Sequence, residues 1–481
     1  MGLMSPEQYK ASLNDGRLLY YKGEKIEDVA KHHELGVCVD SMAVDYHMAH
    51  DSKYKDLAVV YDEALGEDIS RFFHVPKDRE ELLKMLELII EGTRQGDGYI
   101  PLAHDIGADA LNAISITAHT MGDQNYIDRI ENYRNYLKKE DLAVVAAVTC
   151  VKGDRVLRPS DPEQEHPDTY VRIVDKNEKG IVVRGAKAHI SGAAYCNEFF
   201  VIPSRAMTEK DADYAVAFAI QANAKGIKQI ARPVKTKISS LEFPMERPVR
   251  VITDSLIIFD DVFVPWDRVF LCGEWQHAAT MVYNFALMHR RTGSAYRIPL
   301  TEQLVGVAQA IAEYNGVAKV PHVREKITDL VIYLETLKAL ARSACQEPIT
   351  YGGIAVPNPM TTNIAKYHFA ENYHNAVKII QDLAGGLLVT APTYKDYSHP
   401  DLKEDIKKYL VGKAGIPTEQ RLRMFDLIRR LTSSEFETIV LHGEGSMQAE
   451  RMTIYAEARK VIKDCKKIAE ELAEIEKVSL E

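Results

Sequence analysis

The chain has 481 residues, 46% of them apolar and 27% charged. That balance excludes disordered, collagen-like and disulfide-scaffold classes and is enough for two or three domains around a large interior. Sixty Lys and Arg against seventy Asp and Glu leave a net charge of −10 with no basic run to track a phosphate backbone, so nucleic acid is excluded as an expected partner.

The first thirty residues hold no apolar stretch of signal-peptide length, and no window reaches the ~18 to 20 apolar residues of a membrane span, so the sequence reads as cytoplasmic with no membrane partner. Residues 80–95 carry apolar side chains at three- and four-residue spacing and predict a helix; Asp123 to Lys138 is a charge-laced segment that predicts another. From about Asp141 the period changes. The runs at 141–150, 169–177, 180–190, 198–203, 214–222 and 255–264 are short, rich in Val, Ile, Phe and Tyr, and punctuated by Asn, Gly, Asp and Pro, as strands are. The second and third meet across Lys176 to Lys179, the length of a hairpin turn. After Trp275 the pattern is helical again, in AATMVYNFALMHRR, EQLVGVAQAIAEYNGVA, HVREKITDLVIYLETLKALARSA, TNIAKYHFAENYHNAVKIIQDLAGG and a final run from about Gln448 to Lys477. Several exceed the length of a sheet-covering helix and suit a bundle. The expected domains are a helical one over 1–140, a β-domain over 141–275 and a long-helix bundle over 276–481.

The six cysteines, Cys38, Cys150, Cys196, Cys272, Cys345 and Cys465, form no CxxC or CxxxC pair, which removes the ordinary zinc and iron–sulfur signatures, and no metal ligand is expected. A Rossmann GxGxxG, a zinc-protease HExxH and a nucleophile elbow GxSxG are missing. What remains is a set of glycine-bearing stretches: TCVKGDR (149–155), VVRGAKAHISGA (182–193), LAGGLLVTAP (383–392) and LHGEGSMQAER (441–451). Glycine lets backbone amides approach a ligand, and Thr, Ser, Lys and Arg supply donors for a polar ring edge or a pyrophosphate. Each alone reads equally well as a turn.

Together with YNFALMHRR (283–291), FDDVFVPWDRVFLC (259–272) and AMTEKDADYAVAFA (206–219), these stretches resemble, over nearly the whole chain, the family of 4-hydroxybutyryl-CoA dehydratase and the two-component 4-hydroxyphenylacetate 3-monooxygenases, closer to the dehydratase branch. The resemblance implies a mainly α, acyl-CoA-dehydrogenase-like fold with an N-terminal helical domain, a middle β-barrel and a C-terminal bundle. It also implies a homotetramer or homodimer, with FAD between β-domain and bundle, held by the protein or supplied reduced by a separate flavin reductase. By the same resemblance Thr149, Lys152, Asp154 and Arg155 line the flavin, Ser191 sits near its reactive N5 edge, and the turn His442, Gly443, Gly445 and Ser446 contacts it, from this or another subunit.

The chain departs from both branches. The positions that hold the dehydratase's [4Fe–4S] cluster fall on Pro101, Asp105, His289 and Tyr296, of which only the histidine is retained; proline and tyrosine cannot replace thiolates, and a cluster is not expected. A catalytic glutamate of the dehydratase falls on Ile439, and the phenol-binding positions of the monooxygenases fall on Ile106, Ala110 and Cys150. His289 reads either as a packed bundle histidine or as a general acid/base beside the flavin. Tyr296 reads as a buried structural tyrosine or as a donor in place of the cluster cysteine, and Asp105 as a helix cap or a substrate-binding carboxylate. Arg290, Arg291 and Arg297 read as ion-pair residues or partners of a CoA phosphate, and Glu444 as a solvated side chain.

Three functions follow. The leading one is a cluster-free FAD enzyme that dehydrogenates, isomerises or eliminates on an acyl-CoA, with His289, Tyr296 and Asp105 as catalytic candidates. The second is a reduced-flavin-dependent monooxygenase of an aromatic acid. The third is a paralogue that binds flavin or an acyl-CoA without turnover.

Overall fold

The computed structural model describes residues 2–235, 241–247 and 250–475, with the backbone but not the side chains of Phe436, Ile439, Val440 and His442. The helix Arg79–Gln95 begins where the Asp78 carboxylate accepts the Glu80 and Glu81 amides, and its stripe Leu82, Met85, Leu86, Ile89 and Ile90 is buried. The helix Asp105–Met121 is buried on every side from Gly107 to Ala118 and stops at Gly122, which takes the left-handed conformation of a helix C-terminus. The expected helix after Asp123 is Gln124–Glu140; it is polar except for a face of Tyr126, Ile130, Tyr133 and Leu137. These two helices sandwich the buried Arg134, whose guanidinium donates to the Asn112 side chain at 3.0 Å.

The strands of the β-domain are hydrogen-bonded as two sheets rather than one continuous barrel, and two separate two-stranded ribbons, Val59–Asp62 with Glu67–Ser70 and Ile349–Tyr351 with Ile354–Val356, lie outside them. The larger runs Glu24–Ile26, Leu19–Tyr21, Ile227–Ala231, Asp254–Pro265, Gly180–Ser191, Arg172–Asn177; the smaller runs Val269–Cys272, Val216–Gln221, Glu198–Val201, Val144–Ala147. The hairpin read at Lys176 to Lys179 is present, with Asn177 opposite Gly180. Two strands come from the first thirty residues: Leu19–Tyr21 pairs in parallel with Ile227–Ala231. The first third of the chain is therefore not purely helical, because strands of three residues are too short to show a period. Gly107 brings the central helix against the smaller sheet so closely that a Cβ there would lie 2.3 Å from the Val144 carbonyl oxygen.

In the last part, the two segments on either side of residue 299 form one helix, Ala278–Tyr314, that continues through Pro299. Proline removes the amide that would bond the Ala295 carbonyl, but burial of Ala295, Ile298, Leu300 and Leu304 on the neighbouring helices holds the helix together. Pro321–Gln346 and Pro359–Ala384 pack on it and on each other, each started by a proline in the first turn. The final run is two helices, Met447–Glu457 and Arg459–Leu472, broken at Ala458. No helix among the described residues is long and apolar enough to cross a membrane.

Candidate functional site

The turn between the helices Glu435–His442 and Met447–Glu457 carries the chain back against the long helix. Glu444 adopts a left-handed backbone, φ 62°, followed by Gly445 at φ 102°, a conformation a non-glycine residue holds only when its surroundings impose it. Here they do. The Arg290 Nε donates to the Glu444 carbonyl at 3.2 Å, the Tyr296 hydroxyl donates to Glu444 Oε1 at 2.6 Å, and Arg297 Nη1 lies 2.5 Å from Oε2. The Glu444 side chain is 2% exposed, so the solvated glutamate expected there is instead a buried carboxylate. Burial alone would raise its pKa; the Arg297 charge first, then His289, Lys366 and the Tyr296 hydroxyl, outweigh that and hold it below its ordinary value. Gly293 makes the room: a Cβ there would sit 2.6 Å from the Glu444 carboxyl carbon. Arg297, fully buried, lies over the rings of Tyr296 and Phe369 at 4.5 and 4.9 Å.

His289 stands between two carboxylates. Its Nδ1 is 3.5 Å from Asp109 Oδ2 and its Nε2 is 3.9 Å from Glu444 Oε1, with the Phe285 ring 5.0 Å away. Asp109 also accepts from Arg291 at 3.1 Å. The ring is thus packed within the bundle, with a carboxylate facing each of its nitrogens. Asp105, one turn before Asp109, is buried, and its carboxyl is pushed well above the usual range by burial and then by the nearby Asp45 and Asp109. It is not the cap of its helix: the capping position is His104, and Asp105 lies in the first turn, accepting from the Ile106 amide at 2.6 Å. Burial of Tyr296 raises its hydroxyl pKa far above 10, so it stays a donor.

Behind this group Lys366 and Glu450, both fully buried, face each other at 3.4 Å. Burial lowers the amine to about 8 and raises the carboxyl. Arg290 reaches the Asn363 side chain at 2.5 Å. Of the three buried arginines, Arg291 and Arg297 pair with Asp109 and Glu444 as the ion-pair reading expects, and Arg290 bonds Asn363 and the Glu444 carbonyl; the alternative of a CoA phosphate would need these internal bonds to be given up.

The end of the larger sheet supplies a second group. Ser191 and Asp254 are opposite one another in paired strands; the hydroxyl donates to Asp254 Oδ1 at 2.5 Å, and Arg232 lies 3.1 Å from Oδ2. Gly192, at φ 79°, approaches Leu102 and Met42, so this sheet end abuts the loop that leads through Pro101 to Asp105. Thr149, Lys152, Asp154 and Arg155 lie on a loop fastened to the same strand: the Ala188 amide donates to the Thr149 carbonyl at 2.8 Å, and Cys150 bridges Lys187. Lys152 is half-buried, Asp154 accepts its own loop's Val156 amide at 2.9 Å, and Arg155 is exposed. In the glycine turn, Gly443 lies against Tyr296 and Arg297, Gly445 against Arg290, and Ser446 caps the following helix by accepting the Ala449 amide at 3.3 Å. The His442 side chain lies outside the described residues.

The structure brings His289, Tyr296 and the Gly443–Gly445 turn together, with Asp105 one helical turn from Asp109. Asp109, Lys366, Glu450, Asp254 and Arg232 are members that sequence reasoning missed, and Glu444 is one it read as solvated. Asp109 had a signal, a second carboxylate four residues after Asp105 in a helix with no other charged residue but His119; Lys366 and Glu450 had none. The positions resembling cluster ligands do not fit an iron–sulfur centre. Pro101 and Tyr296 offer no thiolate, and the Glu444 carboxylate already occupies the space between Tyr296 and His289. The phenol-site positions Ile106, Ala110 and Cys150 are apolar packing residues against one core.

Two halves of one family match: 4-hydroxyphenylacetate 3-hydroxylase N terminal over residues 5–271 and its C terminal over residues 278–474. The 4-hydroxybutyryl-CoA dehydratase/vinylacetyl-CoA-Δ-isomerase of Clostridium aminobutyricum is 31% identical over 94% of this chain and 96% of its own. The oxygen-tolerant archaeal 4-hydroxybutyryl-CoA dehydratase of N. maritimus superposes with TM-score 0.91 at 31% identity, covering 100% of this chain and 96% of that one. The oxygenase component of 4-hydroxyphenylacetate 3-monooxygenase, complexed with FAD and 4-hydroxyphenylacetate, superposes with TM-score 0.87 at 27% identity, covering 98% and 99%. A glutaryl-coenzyme A dehydrogenase shares the fold more distantly, with TM-score 0.51 at 15% identity over 93% of this chain and 96% of that one. Matched along nearly its whole length, the chain belongs to the 4-hydroxyphenylacetate 3-hydroxylase family, whose members include the 4-hydroxybutyryl-CoA dehydratases.

Proposed function

We propose that the chain is a cluster-free FAD enzyme that moves a proton and an electron pair at the carbons next to an acyl-CoA carbonyl, by dehydrogenation, double-bond isomerisation or elimination. The observation that carries this reading is the buried His289, with Asp109 at 3.5 Å from Nδ1 and Glu444 at 3.9 Å from Nε2. An imidazole flanked this way can take a proton from an acidified carbon, hold it as imidazolium against the two carboxylates, and return it at another carbon. Tyr296, kept protonated by burial, serves as a hydrogen-bond donor and not as the base. Asp105, raised and therefore inclined to stay neutral, would donate to a substrate oxygen. FAD, when bound, would supply the redox capacity.

In this reading the flavin lies between the β-domain and the bundle of an acyl-CoA-dehydrogenase-like fold divided at about 140 and 275. Thr149, Lys152, Asp154 and Arg155 would run along it. Ser191, backed by Asp254 and Arg232, would face N5, and the turn from His442 through Gly443 and Gly445 to Ser446 would close over it in a cytoplasmic homotetramer or homodimer. The fit rests on donors: a hydroxyl fixed by a carboxylate and a guanidinium at the sheet end, and a loop bearing an ammonium and a guanidinium beside it.

The test is an anaerobic visible titration of flavin-loaded protein with a panel of acyl-CoAs and phenols, followed by exchange of the thioester α-proton for deuterium. The expected result is flavin perturbation by an acyl-CoA and α-exchange that His289→Gln abolishes. Perturbation by phenols alone, with hydroxylated product on adding a flavin reductase and oxygen, would replace this reading with the monooxygenase one. Flavin or thioester binding with neither exchange nor product would leave a binding paralogue.

A further inference from the structure

An acyl-CoA reading requires a place for the nucleotide end of the thioester, and the three arginines beside His289 are poorly placed to provide it because they are buried, Arg291 and Arg297 in ion pairs and Arg290 on Asn363 and a backbone carbonyl. A cavity of about 340 Å³ does so elsewhere. Its walls come from the Asp97 loop, from Gln303 on the long helix, from the segment around Phe243 to Arg247, and from Arg423, Asp426, Leu427 and Arg430 on the helix Thr418–Thr432, the Asp426 carboxylate accepting the Leu241 amide at 3.1 Å. Arg423, Leu427 and Arg430 share a face because they are three and four residues apart.

The charges in this cavity differ in how they are used. Arg247 pairs loosely with Asp97 at 3.5 Å and is largely exposed. Arg423 bonds Glu419 at 2.8 Å and the Pro244 carbonyl at 2.6 Å and lies 5.5 Å from the Phe243 ring, so it builds the wall. The Arg430 guanidinium is half-buried, lines the cavity and has no carboxylate partner among the described residues. Met245 and Leu427 give the cavity an apolar side. Unspent guanidinium on one wall and apolar surface on another suit a phosphorylated nucleoside better than a simple anion.

The position fits as well. Gln303 lies seven residues, about 10 Å, along the same helix from Tyr296. Arg430 of the cavity and Arg232 of the Ser191–Asp254–Arg232 group are both close enough to the half-buried Tyr99 to act on its hydroxyl, so the two groups neighbour the same tyrosine. We infer that this cavity binds the adenosine phosphate end of a CoA thioester through Arg430, with the acyl arm running past Tyr99 toward His289; the inference rests on the acyl-CoA reading above.

The experiment is a set of titrations of the flavin-loaded full chain, with wild type, Arg430→Gln and Arg430→Lys, against crotonyl-CoA, crotonyl-pantetheine and adenosine 3′,5′-bisphosphate. Loss of one charge-assisted phosphate contact is expected to weaken crotonyl-CoA and the bisphosphate about tenfold or more in Arg430→Gln, with Arg430→Lys in between, and to leave crotonyl-pantetheine unchanged. Equal affinities in all three proteins for crotonyl-CoA would overturn the inference while leaving the thioester reading intact. Arg430-dependent binding of the bisphosphate with no flavin response to any thioester would sink that reading and not the nucleotide site. Loss of FAD retention in Arg430→Gln would assign the cavity to the cofactor's own ADP half and overturn the CoA assignment.

Discussion

Glu444 and Arg297 form the tightest buried ion pair of the site, 2.5 Å apart with side chains 2% and 0% exposed. With charge centres about 4 Å apart and an effective dielectric of about 20, their attraction is about 4 kcal/mol, close to the roughly 3 to 5 kcal/mol by which breaking one side of a buried pair destabilises a protein. Glu444→Gln keeps the shape and an acceptor for Tyr296 but leaves the Arg297 guanidinium buried without a counter-charge. Arg297→Met leaves the carboxylate in the same position. Each single variant should therefore lose about 3 kcal/mol or more, whereas the double variant, in which no charge remains to be compensated, should recover most of it. The assay is urea unfolding followed by circular dichroism for all four proteins, read as a double-mutant cycle. Additive losses, or single variants within about 0.5 kcal/mol of wild type, would refute the claim that this pair locks the turn onto the long helix.

Gly293→Ala should cost about 1 to 3 kcal/mol, because the new methyl group collides with the Glu444 carboxyl carbon at 2.6 Å; calorimetry should show a lower midpoint, and the flavin spectrum should change with it. His289→Gln should leave folding nearly intact and lower α-proton exchange by roughly 10² to 10⁴, as loss of a general base does. Lys366 is depressed to about 8, so between about pH 8 and its unfolded value near 10.5 the unfolded chain binds more protons and stability rises with pH; Lys366→Met should flatten that rise in unfolding curves taken across the range. His104 behaves in the opposite sense. Burial opposes its charge, but Asp141 at 3.3 Å and Asp45 at 3.9 Å raise its pKa, so its stabilisation is complete below about pH 6.5 and is lost as pH rises through the folded value; His104→Gln should remove that alkaline decline.

The legible parts of the fold were those with a period or a punctuation mark. The hairpin at Asn177–Gly180, the helices Arg79–Gln95 and Gln124–Glu140, and the change from strands to long helices near Trp275 all declare themselves locally. The strands Leu19–Tyr21 and Glu24–Ile26 do not, since Leu19–Tyr21 is placed by a partner more than two hundred residues away and Glu24–Ile26 only extends the sheet from it. Pro299 argues for a break, yet packing on both sides carries the helix through it; Ala458, flanked by good helix formers and by neither glycine nor proline, argues for continuity where the chain breaks. Within the site, the sequence exposed His289 and the glycine turn. It concealed Glu444, because a glutamate between two glycines has the composition of a solvated loop, and only the opposing Gly293, Tyr296 and Arg297 draw it inward.

Those same residues explain how a site without cluster thiolates can still handle negative charge. Around His289, the cations Arg290, Arg291, Arg297 and Lys366 face the carboxylates Asp109, Glu444 and Glu450, so with a neutral imidazole the group carries one surplus positive charge among buried side chains. Arg290 is the unmatched member, bonded to the neutral Asn363 and to a backbone carbonyl. A thioester whose α-carbon has lost a proton carries its new charge on oxygen, and fixed cations in a low-dielectric site stabilise such a charge without having to reorganise. The proton meanwhile turns His289 into a second cation, which Asp109 and Glu444 are placed to offset. The arrangement thus favours separating a proton from a carbon acid over supplying a Lewis acid to a hydroxyl, which is the chemistry expected of a relative that keeps the histidine and has a proline, a buried aspartate and a tyrosine at the thiolate positions.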